Sequence, residues 1–482
     1  MSLKQKTISG LTWSFIDVFA KQGIVFIIGI ILARLLTPRD FGLIGMTTIF
    51  IFFSDAFIDS GFGQALVRKQ NCTQADYSTV FFYNLFVGLF LFLLLFFSAG
   101  AIANFFNEPK LKLIIQVLSA GIIVRSFTII HEKILIKRID FKLKTKISIF
   151  ASIISGGIGI TMAFIGFGVW SLVAKTLSAF IISSILLWIW NKWVPSLVFS
   201  YNSFKELFAF GSRLLVSSII RRVYENIFIV VIGKYFSAAD LGFYTRANQF
   251  KNLASNTLTG VIQRVSYPSL ATIQDDKIRL KTAYEKLIKS TMLITFFLMI
   301  GLVVMAKPLV ITLIGEKWMP SVILLQLLCF VGIFHPLQEI NLNMLKVLGR
   351  SDIILKLEIA KKILVIPVIF IGLIFGIKIL IVGMVCVSFI SFLIDSFFAG
   401  KRIGYSTFDQ ISGIFPSFII AVTSGAITYS LVFINNQVHY LFIIQVLVYL
   451  FVFILICEFT KIPDYVFLKN IIVEKYSQIR KK

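Results

Sequence analysis

The sequence predicts an all-α polytopic membrane protein with about fourteen transmembrane helices. Hydrophobic residues make up 58% of the 482-residue chain and charged residues only 15%, whereas soluble proteins carry about 25% charged residues. The mean hydropathy is +0.91. Apolar runs recur along the whole chain with lengths near 20 residues, which is the length that a helix needs to cross the hydrocarbon core. These runs lack the period-two alternation of barrel strands.

The apolar runs are separated by Pro, Gly, Asn and charge clusters, and each run predicts one span. The first run follows a short basic flank without a small-residue cleavage site, so we expect a retained span and not a cleaved signal peptide. The eighth and tenth runs carry several polar side chains. In chain order the predicted spans are 11–33, 42–65, 79–103, 111–131, 147–166, 169–190, 207–233, 241–268, 287–314, 321–345, 354–375, 379–399, 411–434 and 439–459.

Lysine and arginine are distributed unevenly between the two sets of loops. If the N-terminus is cytoplasmic, the inside segments include the basic loop 132–146 and the basic tail 461–482, whereas the outside loops hold few cations. This asymmetry predicts that both termini are cytoplasmic. Topology and contact with anionic lipids then explain much of the formal net charge of +24. No nucleic-acid partner is expected, because no predicted soluble domain is large enough to hold a duplex.

A weak internal repeat divides the chain. RLLTPRDFGLIGM (34–46) and KYFSAADLGFYTR (234–246) share Asp and Gly at equivalent positions, and each lies between the first two spans of a six-span block. In both copies the Asp precedes a new apolar helix, whose N-terminus it would cap. Parallel repeats of this kind are typical of transporters that alternate access between two halves. The predicted parts are an N-terminal lobe (1–200), a C-terminal lobe (201–405), an accessory pair of spans (406–460) and a cytoplasmic basic tail (461–482).

The predicted spans contain more bases than acids. Each charge costs about 2.5–3.5 kcal/mol at the centre of a membrane helix, so these residues need a partner, water or a helix end. The basic set is Lys21, Arg125, Lys175, Arg213, Arg221, Arg222, Arg246, Lys251, Arg264, Lys289, Lys307, Lys361 and Lys362. The acidic set is Asp17, Asp55, Asp59, Glu225, Glu339, Glu358 and Asp395. The cationic excess predicts an anionic cargo, such as a phosphate or pyrophosphate.

Some of these acids lie three or four residues from a base on the same helix face and are expected to pair with it. The predicted pairs are Asp17 with Lys21, Glu225 with Arg221 and Arg222, and Glu358 with Lys361 and Lys362.

The cations are concentrated on spans 7 and 8, where we expect them to line a transport cavity. Together with a lysine of span 1, the predicted substrate-binding residues are Arg213, Arg221, Arg222, Arg246, Lys251, Arg264 and Lys21. Span 8 also carries polar side chains suited to sugar hydroxyls, namely Asn248, Gln249, Asn252, Asn256 and Thr259.

Four acids are candidates for ion coupling or charge pairing: Asp17, Asp55, Asp59 and Glu225. Asp55 and Asp59 lie one turn apart, an arrangement that would bind H⁺ or Na⁺ or would pair with an arginine of a neighbouring span. Asp59 also opens the glycine-rich segment DSGFGQ, which favours a capping or hinge role. Apart from a coupling ion, no cofactor or metal is expected, because the cysteines and histidines lack ligand spacing and no Walker-type loop is present. The sequence therefore predicts a transporter and not an enzyme.

Eight local strings, in the expected order, resemble Wzx-type lipid-linked oligosaccharide flippases. These proteins are the polysaccharide transporter branch of the multidrug/oligosaccharidyl-lipid/polysaccharide (MOP) exporter superfamily. The strings are ILARLLTPRDFGL (31–43), DSGFGQALVRK (59–69), ILIKRIDFK (134–142), GFGVWSLVAK (166–175), GKYFSAADLGFYTRA (233–247), YPSLATIQDD (267–276), GEKWMPSV (315–322) and GRSDIILKL (349–357).

The resemblance implies a MATE-like fold of two six-helix lobes and an accessory helix pair. It implies movement of an undecaprenyl-pyrophosphate-linked glycan from the cytoplasmic to the periplasmic leaflet of the bacterial inner membrane. Membrane lipids are further partners, and a polysaccharide polymerase is a candidate partner. Arg222, Glu225 and Asn226 match a span-7 pattern of the family, and Arg246 matches a basic position after the Gly-Phe-Tyr turn. Cavity arginines of relatives are thought to hold the pyrophosphate.

Two alternatives remain at this point. A multidrug exporter of the related MATE branch would need a carboxylate-rich cavity for cationic drugs, and the basic excess disfavours it. A membrane glycosyltransferase or polymerase would need acidic or histidine catalysts and a large periplasmic loop, whereas every predicted outside loop is short.

Overall fold

The computed structural model describes residues 3–433 and 438–480 of the chain, and these residues form long α-helices joined by short connections. The helices are α1 (Leu3–Leu35), α2 (Pro38–Asp59), α3 (Phe62–Arg68), α4 (Gln74–Phe106), α5 (Lys110–Lys137), α6 (Phe141–Phe164), α7 (Val169–Asn191), α8 (Tyr201–Tyr235), α9 (Ala238–Ala271), α10 (Lys277–Ile314), α11 (Pro320–Val347), α12 (Ser351–Phe375), α13 (Ile377–Ile403), α14 (Thr407–Ser430), α15 (Val438–Thr460) and α16 (Pro463–Arg480).

Among the described residues, ten helices are long and apolar enough to cross a membrane: α2, α4, α5, α6, α7, α10, α11, α13, α14 and α15. This confirms the predicted class of a polytopic all-α membrane protein. Most predicted spans fall on one helix each, but α1, α8, α9 and α12 are not among the ten, so the count of fourteen stays a prediction. These four helices carry most of the basic residues inside the predicted spans. The predicted basic tail contains a further helix, α16.

The predicted span 42–65 is not one helix. The helix α2 ends at Asp59, where Ser60 and Gly61 adopt left-handed backbone conformations with φ of 41° and 72°, and α3 begins at Phe62. The Asp59 carboxylate accepts a hydrogen bond from the backbone N–H of Gly63 at 3.2 Å. A side chain at Gly61 would collide with the backbone of Gly211 on α8. The predicted continuous helix is therefore interrupted between α2 and α3, where the backbone forms a left-handed turn and α8 approaches closely.

The chain folds into two compact units, one that extends to Gly242 and one that begins at Phe243. In the first unit α1 packs on α6, α6 on α7, α4 on α5, and α8 on α2, α3 and α4. The ring of Phe62 lies 5.9 Å from that of Phe204 and 6.0 Å from that of Phe208, and Leu207 belongs to the same buried cluster. These side chains pack α8 against α3, so α8 belongs to the first unit. The unit therefore extends past the predicted lobe boundary at residue 200.

The second unit is built around α10 and α11, which pack on each other. Helix α13 packs on α11 and α12, while α14, α15 and α16 pack on α10. Phe297 of α10 stacks on Tyr449 of α15 with ring centroids 5.2 Å apart, and the Tyr449 hydroxyl donates to the Phe297 carbonyl at 2.9 Å. The predicted accessory spans are thus joined to α10 by apolar and polar contacts.

The two copies of the sequence repeat have the same local structure. The Thr37 hydroxyl accepts from the Asp40 backbone N–H at 3.3 Å, and the Asp40 carboxylate accepts from the Thr37 backbone N–H at 2.9 Å. Ser237 and Asp240 make the same reciprocal bonds at 3.0 and 3.2 Å. Both are capping boxes, which satisfy the free N–H groups at the start of a helix. The two aspartates take part in the caps, but they lie inside the first turn as the third helical residue, and the N-cap residues are Thr37 and Ser237.

The glycines of the repeat bring the two capped turns together. A side chain at Gly42 would overlap the backbone carbonyl of Ala238, and a side chain at Gly242 would overlap that of Pro38. The contact is therefore reciprocal, because each glycine accepts the first turn of the other helix. The recurrence of Asp and Gly at an offset of 200 residues has a physical cause: one residue caps the helix and the other permits the contact.

We expect Gly42→Ala and Gly242→Ala to destabilise the protein, since the added methyl group meets a fixed carbonyl and overpacking typically costs about 1–3 kcal/mol. Gly100→Ala on α4 is the matched control, because no atom lies within 4 Å of its Cβ position. An alanine at an open helical site is expected to be neutral or stabilising by about 0.5–1 kcal/mol. Thermal unfolding of the purified variants in detergent measures the difference. Equal melting temperatures for the three variants would contradict the reciprocal contact.

Candidate functional site

The first unit contains a polar cavity of about 320 Å³ between α1, α5, α6 and α7. Its polar lining comes from four helices and is composed of Lys21, Arg125, Glu132, Lys144, Ser148, Ser152 and Ser183. Lys144, Ser148 and Ser152 are four residues apart on α6 and therefore share one helix face. Phe180 adds an aromatic wall. Three cations face one carboxylate in this lining, so the cavity is suited to an anion with hydroxyl groups.

Arg125 is held between two carboxylates. Its Nε lies 3.2 Å from Asp55 Oδ1 on α2, and its Nη1 lies 3.6 Å from Glu132 Oε1 on its own helix. The guanidinium also lies 5.5 Å from the centroid of the Phe180 ring. Of the alternatives for Asp55, pairing with an arginine of a neighbouring span is the one observed. One guanidinium with two carboxylates leaves this cluster with a formal charge of −1, next to the cations of the cavity.

Asp59 makes a second ion pair between α2 and α5, since its Oδ2 lies 3.2 Å from Lys133 Nζ. Its other oxygen accepts from the Gly63 backbone N–H. Asp59 thus caps α3 and joins α2 to α5, which fits the capping role that its sequence context favours.

The three predicted cations of α8 have different surroundings. Arg213 and Arg221 are exposed, whereas Arg222 is half-buried, with its guanidinium 5.7 Å from the centroid of the Phe52 ring. The Nε of Arg222 is buried and has no hydrogen-bond partner among the described residues. A desolvated donor without a partner costs about 1–3 kcal/mol. An acceptor that reached this nitrogen would remove that cost.

The predicted pairing of Glu225 with Arg221 and Arg222 is wrong within the described structure. Glu225 is exposed, and the described part of the chain contains no ion pair that includes it. The physical reason is that the Arg222 side chain turns towards Phe52 of α2. Asn226, which shares the family pattern, is buried, and its Nδ2 donates to the Arg222 backbone carbonyl at 2.8 Å.

In the second unit, the predicted residues of α9 lie beside aromatic and small residues. Arg246 Nη1 donates to Gln249 Oε1 at 2.6 Å, and the guanidinium lies 6.0 Å from the centroid of the Trp318 ring. The aliphatic part of Lys251 packs against Gly332 of α11, where a Cβ would lie 3.3 Å from Lys251 Cγ. The side chains of Asp17 and Arg264 lie outside the described residues.

A second buried charge cluster lies between α12 and α13. Lys361 Nζ is 2.6 Å from Glu358 Oε1 and 3.1 Å from Asp395 Oδ2. The pairing of Glu358 with Lys361 is as predicted from their spacing. Asp395 is 34 residues from Lys361 in sequence, and no periodic pattern connects them.

The sequence predicted Lys21 as a site residue but did not predict most of the cavity lining. Lys144 was placed in an inside loop because the apolar run begins at residue 147, whereas α6 begins at Phe141. The spacing of Lys144, Ser148 and Ser152 was the available signal. The described residues contain no cluster of His, Cys, Asp and Glu that would hold a metal ion.

Comparison with known proteins identifies the family and the fold. A family model described as "Polysaccharide biosynthesis protein" matches residues 31–323. The lipopolysaccharide biosynthesis protein WzxC of Escherichia coli (strain K12) is 26% identical over 439 residues, which are 89% of this chain and 88% of the relative.

Among solved structures, the lipid II flippase MurJ in an inward closed conformation matches with a TM-score of 0.75 and 16% identity, over 96% of this chain and 100% of that chain. An inward-facing MATE multidrug resistance transporter of the MOP superfamily matches with a TM-score of 0.63 and 16% identity, over 80% of this chain and 94% of that chain. The resemblance to the Wzx branch of this superfamily is confirmed. Because the family model matches more than half of the sequence, this multi-pass membrane chain belongs to the polysaccharide biosynthesis protein family, and its fold is that of MOP-superfamily transporters.

Proposed function

We propose that the protein is a flippase for an undecaprenyl-pyrophosphate-linked oligosaccharide, which it moves from the cytoplasmic to the periplasmic leaflet of the bacterial inner membrane. Both termini lie in the cytoplasm in this proposal, and a polysaccharide polymerase uses the product. The family membership and the name of the relative WzxC support a place in polysaccharide biosynthesis. The MurJ structure has the same fold and is named for the flipping of a lipid-linked precursor.

The observation that carries the proposal is the cavity lined by Lys21, Arg125 and Lys144. Lysine ammonium groups act as point charges for phosphate, and a guanidinium offers a planar fork of donors. Serine hydroxyls on α6 and α7 offer donors and acceptors for sugar hydroxyls. A lipid-linked glycan presents these features together, because its pyrophosphate adjoins the first sugar.

The ion pairs of Arg125 suggest how binding and release are balanced. Asp55 already occupies Nε and Nη2 of Arg125, at 3.2 and 3.5 Å, so a pyrophosphate would compete with this carboxylate for the guanidinium. Lys21 is exposed, and among the described side chains no carboxylate is paired with it. We infer that Lys21 and Lys144 supply the first contacts and that Asp55 limits the strength of the final one, which lets the substrate leave.

This proposal assigns transport without catalysis, with the exposed Arg213 and Arg221 as entry contacts. A multidrug exporter is the alternative, since the MATE transporter has the same fold. A cationic drug would meet three cations and one carboxylate in the cavity, and this charge balance favours the anionic substrate.

We expect the double variant Lys21→Ala/Lys144→Ala to bind undecaprenyl pyrophosphate at least about tenfold more weakly, because each charge-assisted hydrogen bond contributes about 1.5–3 kcal/mol. Lys146→Ala is the matched control: it removes a lysine of the same helix that is exposed and does not line the cavity. Intrinsic tryptophan fluorescence of the purified protein measures binding, and a cationic dye is titrated in parallel. Unchanged lipid binding, or tight binding of the dye by the wild-type protein, would contradict the proposal.

For Arg222→Ala we expect loss of cell-surface polysaccharide at normal protein level, since the variant lacks the buried Nε donor. Arg222→Lys keeps the charge but loses the planar fork, and we expect partial export. Complementation of a deletion strain, with immunoblotting of the membrane fraction, measures both quantities. Normal polysaccharide export by Arg222→Ala would show that this arginine does not belong to the substrate site.

Asp55→Asn removes the charge that competes for Arg125. We expect this variant to bind undecaprenyl pyrophosphate several-fold more tightly and to export polysaccharide more slowly, because one charge-assisted bond to arginine exceeds a neutral one by about 1 kcal/mol. Equilibrium binding and export rates of the same variant provide the comparison. Weaker binding with reduced export would mean that Asp55 only supports the structure.

A further inference from the structure

We propose that Asp395, Lys361 and Glu358, between α12 and α13, form a proton-binding site through which a pH gradient drives the transport cycle. This inference rests on the proposed function, since it assigns the energy source of that flippase. Asp395 differs from Asp55 and Asp59, two of the four acids that the sequence singled out, because both carboxylate oxygens of Asp55 and of Asp59 accept hydrogen bonds.

The charge balance of the triad is the first argument. One ammonium contacts two carboxylates, with Nζ 3.1 Å from Asp395 Oδ2 and 2.6 Å from Glu358 Oε1. The Asp395 side chain is fully buried, and that of Lys361 is 8% exposed. A formal charge of −1 in a poorly solvated site is unfavourable. The uptake of one proton leaves a neutral acid beside a balanced ion pair.

Asp395 also has a specific atom that would accept the proton. Asp395 Oδ1 is buried and has no hydrogen-bond partner among the described residues, while Oδ2 is engaged by Lys361. A buried carboxylate oxygen without a donor loses its hydration without compensation. Protonation of Asp395 removes this cost, because a neutral carboxyl group is desolvated far more easily than a carboxylate.

The surroundings of Asp395 add negative charge. Glu339 of α11 and Glu358 of α12 both act electrostatically on its carboxylate, and Tyr284 of α10 lies within electrostatic range. The Tyr284 hydroxyl is neutral and donates to Asn341 Oδ1 at 2.6 Å. Tyr405, in the connection before α14, packs edge-on against Tyr284 with ring centroids 6.0 Å apart. Around Asp395, the positive charge of Lys361 is thus opposed by two carboxylates.

Further titratable groups act on Lys361 instead of directly on Asp395. His335 of α11 interacts electrostatically with Lys361, with Glu339 and with Lys251 of α9. Its Nδ1 lies 3.2 Å from the Thr259 hydroxyl. The second unit therefore contains a connected set of titratable side chains whose centre is the buried pair of Lys361 and Asp395.

The position of Lys361 Nζ favours a proton over a metal cation. The ammonium already occupies the point between the two carboxylates where Na⁺ would be coordinated. Glu358 is 38% exposed and is the outer member of the triad. A proton from water binds to the Glu358 carboxylate, the Lys361 ammonium gives one of its protons to Asp395, and Glu358 restores the ammonium. The net result is the transfer of one proton from water to Asp395, with no other change in bonding.

The packing of α12 on α13 explains why this proton would affect conformation. Near the turn between the helices, a Cβ at Gly372 would collide with Leu380, and a Cβ at Gly383 would collide with Val368. These close contacts hold the turn end of the hairpin independently of charge. Further from the turn, the ion pair from Lys361 to Asp395 connects the helices. Neutralising Asp395 weakens that connection while the turn end stays packed, so α12 is free to tilt.

The test uses the full-length protein in proteoliposomes with labelled undecaprenyl pyrophosphate as the probe and pyranine as the internal pH indicator. If one proton moves per cycle, a gradient of one pH unit supplies about 1.4 kcal/mol. This free energy would sustain about a tenfold ratio of probe between the leaflets. We expect this ratio for the wild-type protein and a ratio near one for Asp395→Asn. Asp352→Asn, which removes an exposed carboxylate of α12, the helix that carries Lys361 and Glu358, should retain the gradient response.

The double variant Lys361→Met/Asp395→Leu guards against misfolding, because apolar replacement of a buried ion pair is often neutral or stabilising. We expect it to fold and to equilibrate the probe without a response to the gradient. A normal gradient response of this variant or of Asp395→Asn would overturn the proposal and make the triad structural. If a Na⁺ gradient produced the same ratio of probe between the leaflets in place of the pH gradient, that result would also overturn the proposal.

Infrared difference spectra after a pH step separate this proposal from the proposed function. We expect a band of a protonated carboxyl group in the wild-type protein that is absent from Asp395→Asn. If neither the wild-type protein nor any variant binds or moves the probe, but the wild-type protein shows this band, the substrate assignment fails and the proton site stands. If the probe is moved but the band is missing, the proton site fails.

Discussion

The low polarity of the membrane interior forces every charged side chain at that depth to find a counter-charge, water or a helix end. In the first unit this constraint joins α5 to α2, because Arg125 and Lys133 are paired with Asp55 and Asp59. In the second unit it joins α12 to α13 through Lys361. These ion pairs therefore join helices that carry charges, whereas α15, which is more apolar, is joined to α10 by ring stacking and one hydrogen bond.

In the proposed function, charges that are paired within the protein have a structural role, and the others are available to a substrate. Lys133 is half-buried and paired, but Lys21 is exposed at the cavity, and the buried Nε of Arg222 has no partner among the described residues. An anionic headgroup would complete the contacts that the protein leaves open. The same reasoning applies to Asp395, whose unpartnered oxygen would take a proton. In these two proposals the substrate and the proton bind to different units of the chain, each with its own charge cluster.

The repeat shows how local chemistry and packing act together. A capping box begins both α2 and α9, and the glycine that follows each aspartate admits the backbone of the other turn. Aspartate and glycine recur because one satisfies a helix terminus and the other leaves space.

The amino-acid sequence alone determined the membrane class, the helical pattern, the capped repeat and the Glu358–Lys361 contact, because all of these depend on local composition or on spacing within one helix. It also indicated the family through its ordered motifs. Only the tertiary structure decided that Glu225 is unpaired among the described residues, that α8 packs on the first unit, and that Asp395 meets Lys361. It also brought Lys144 and Ser183 to one cavity. These contacts depend on which helix faces meet, and helix periodicity defines a face without specifying its neighbour.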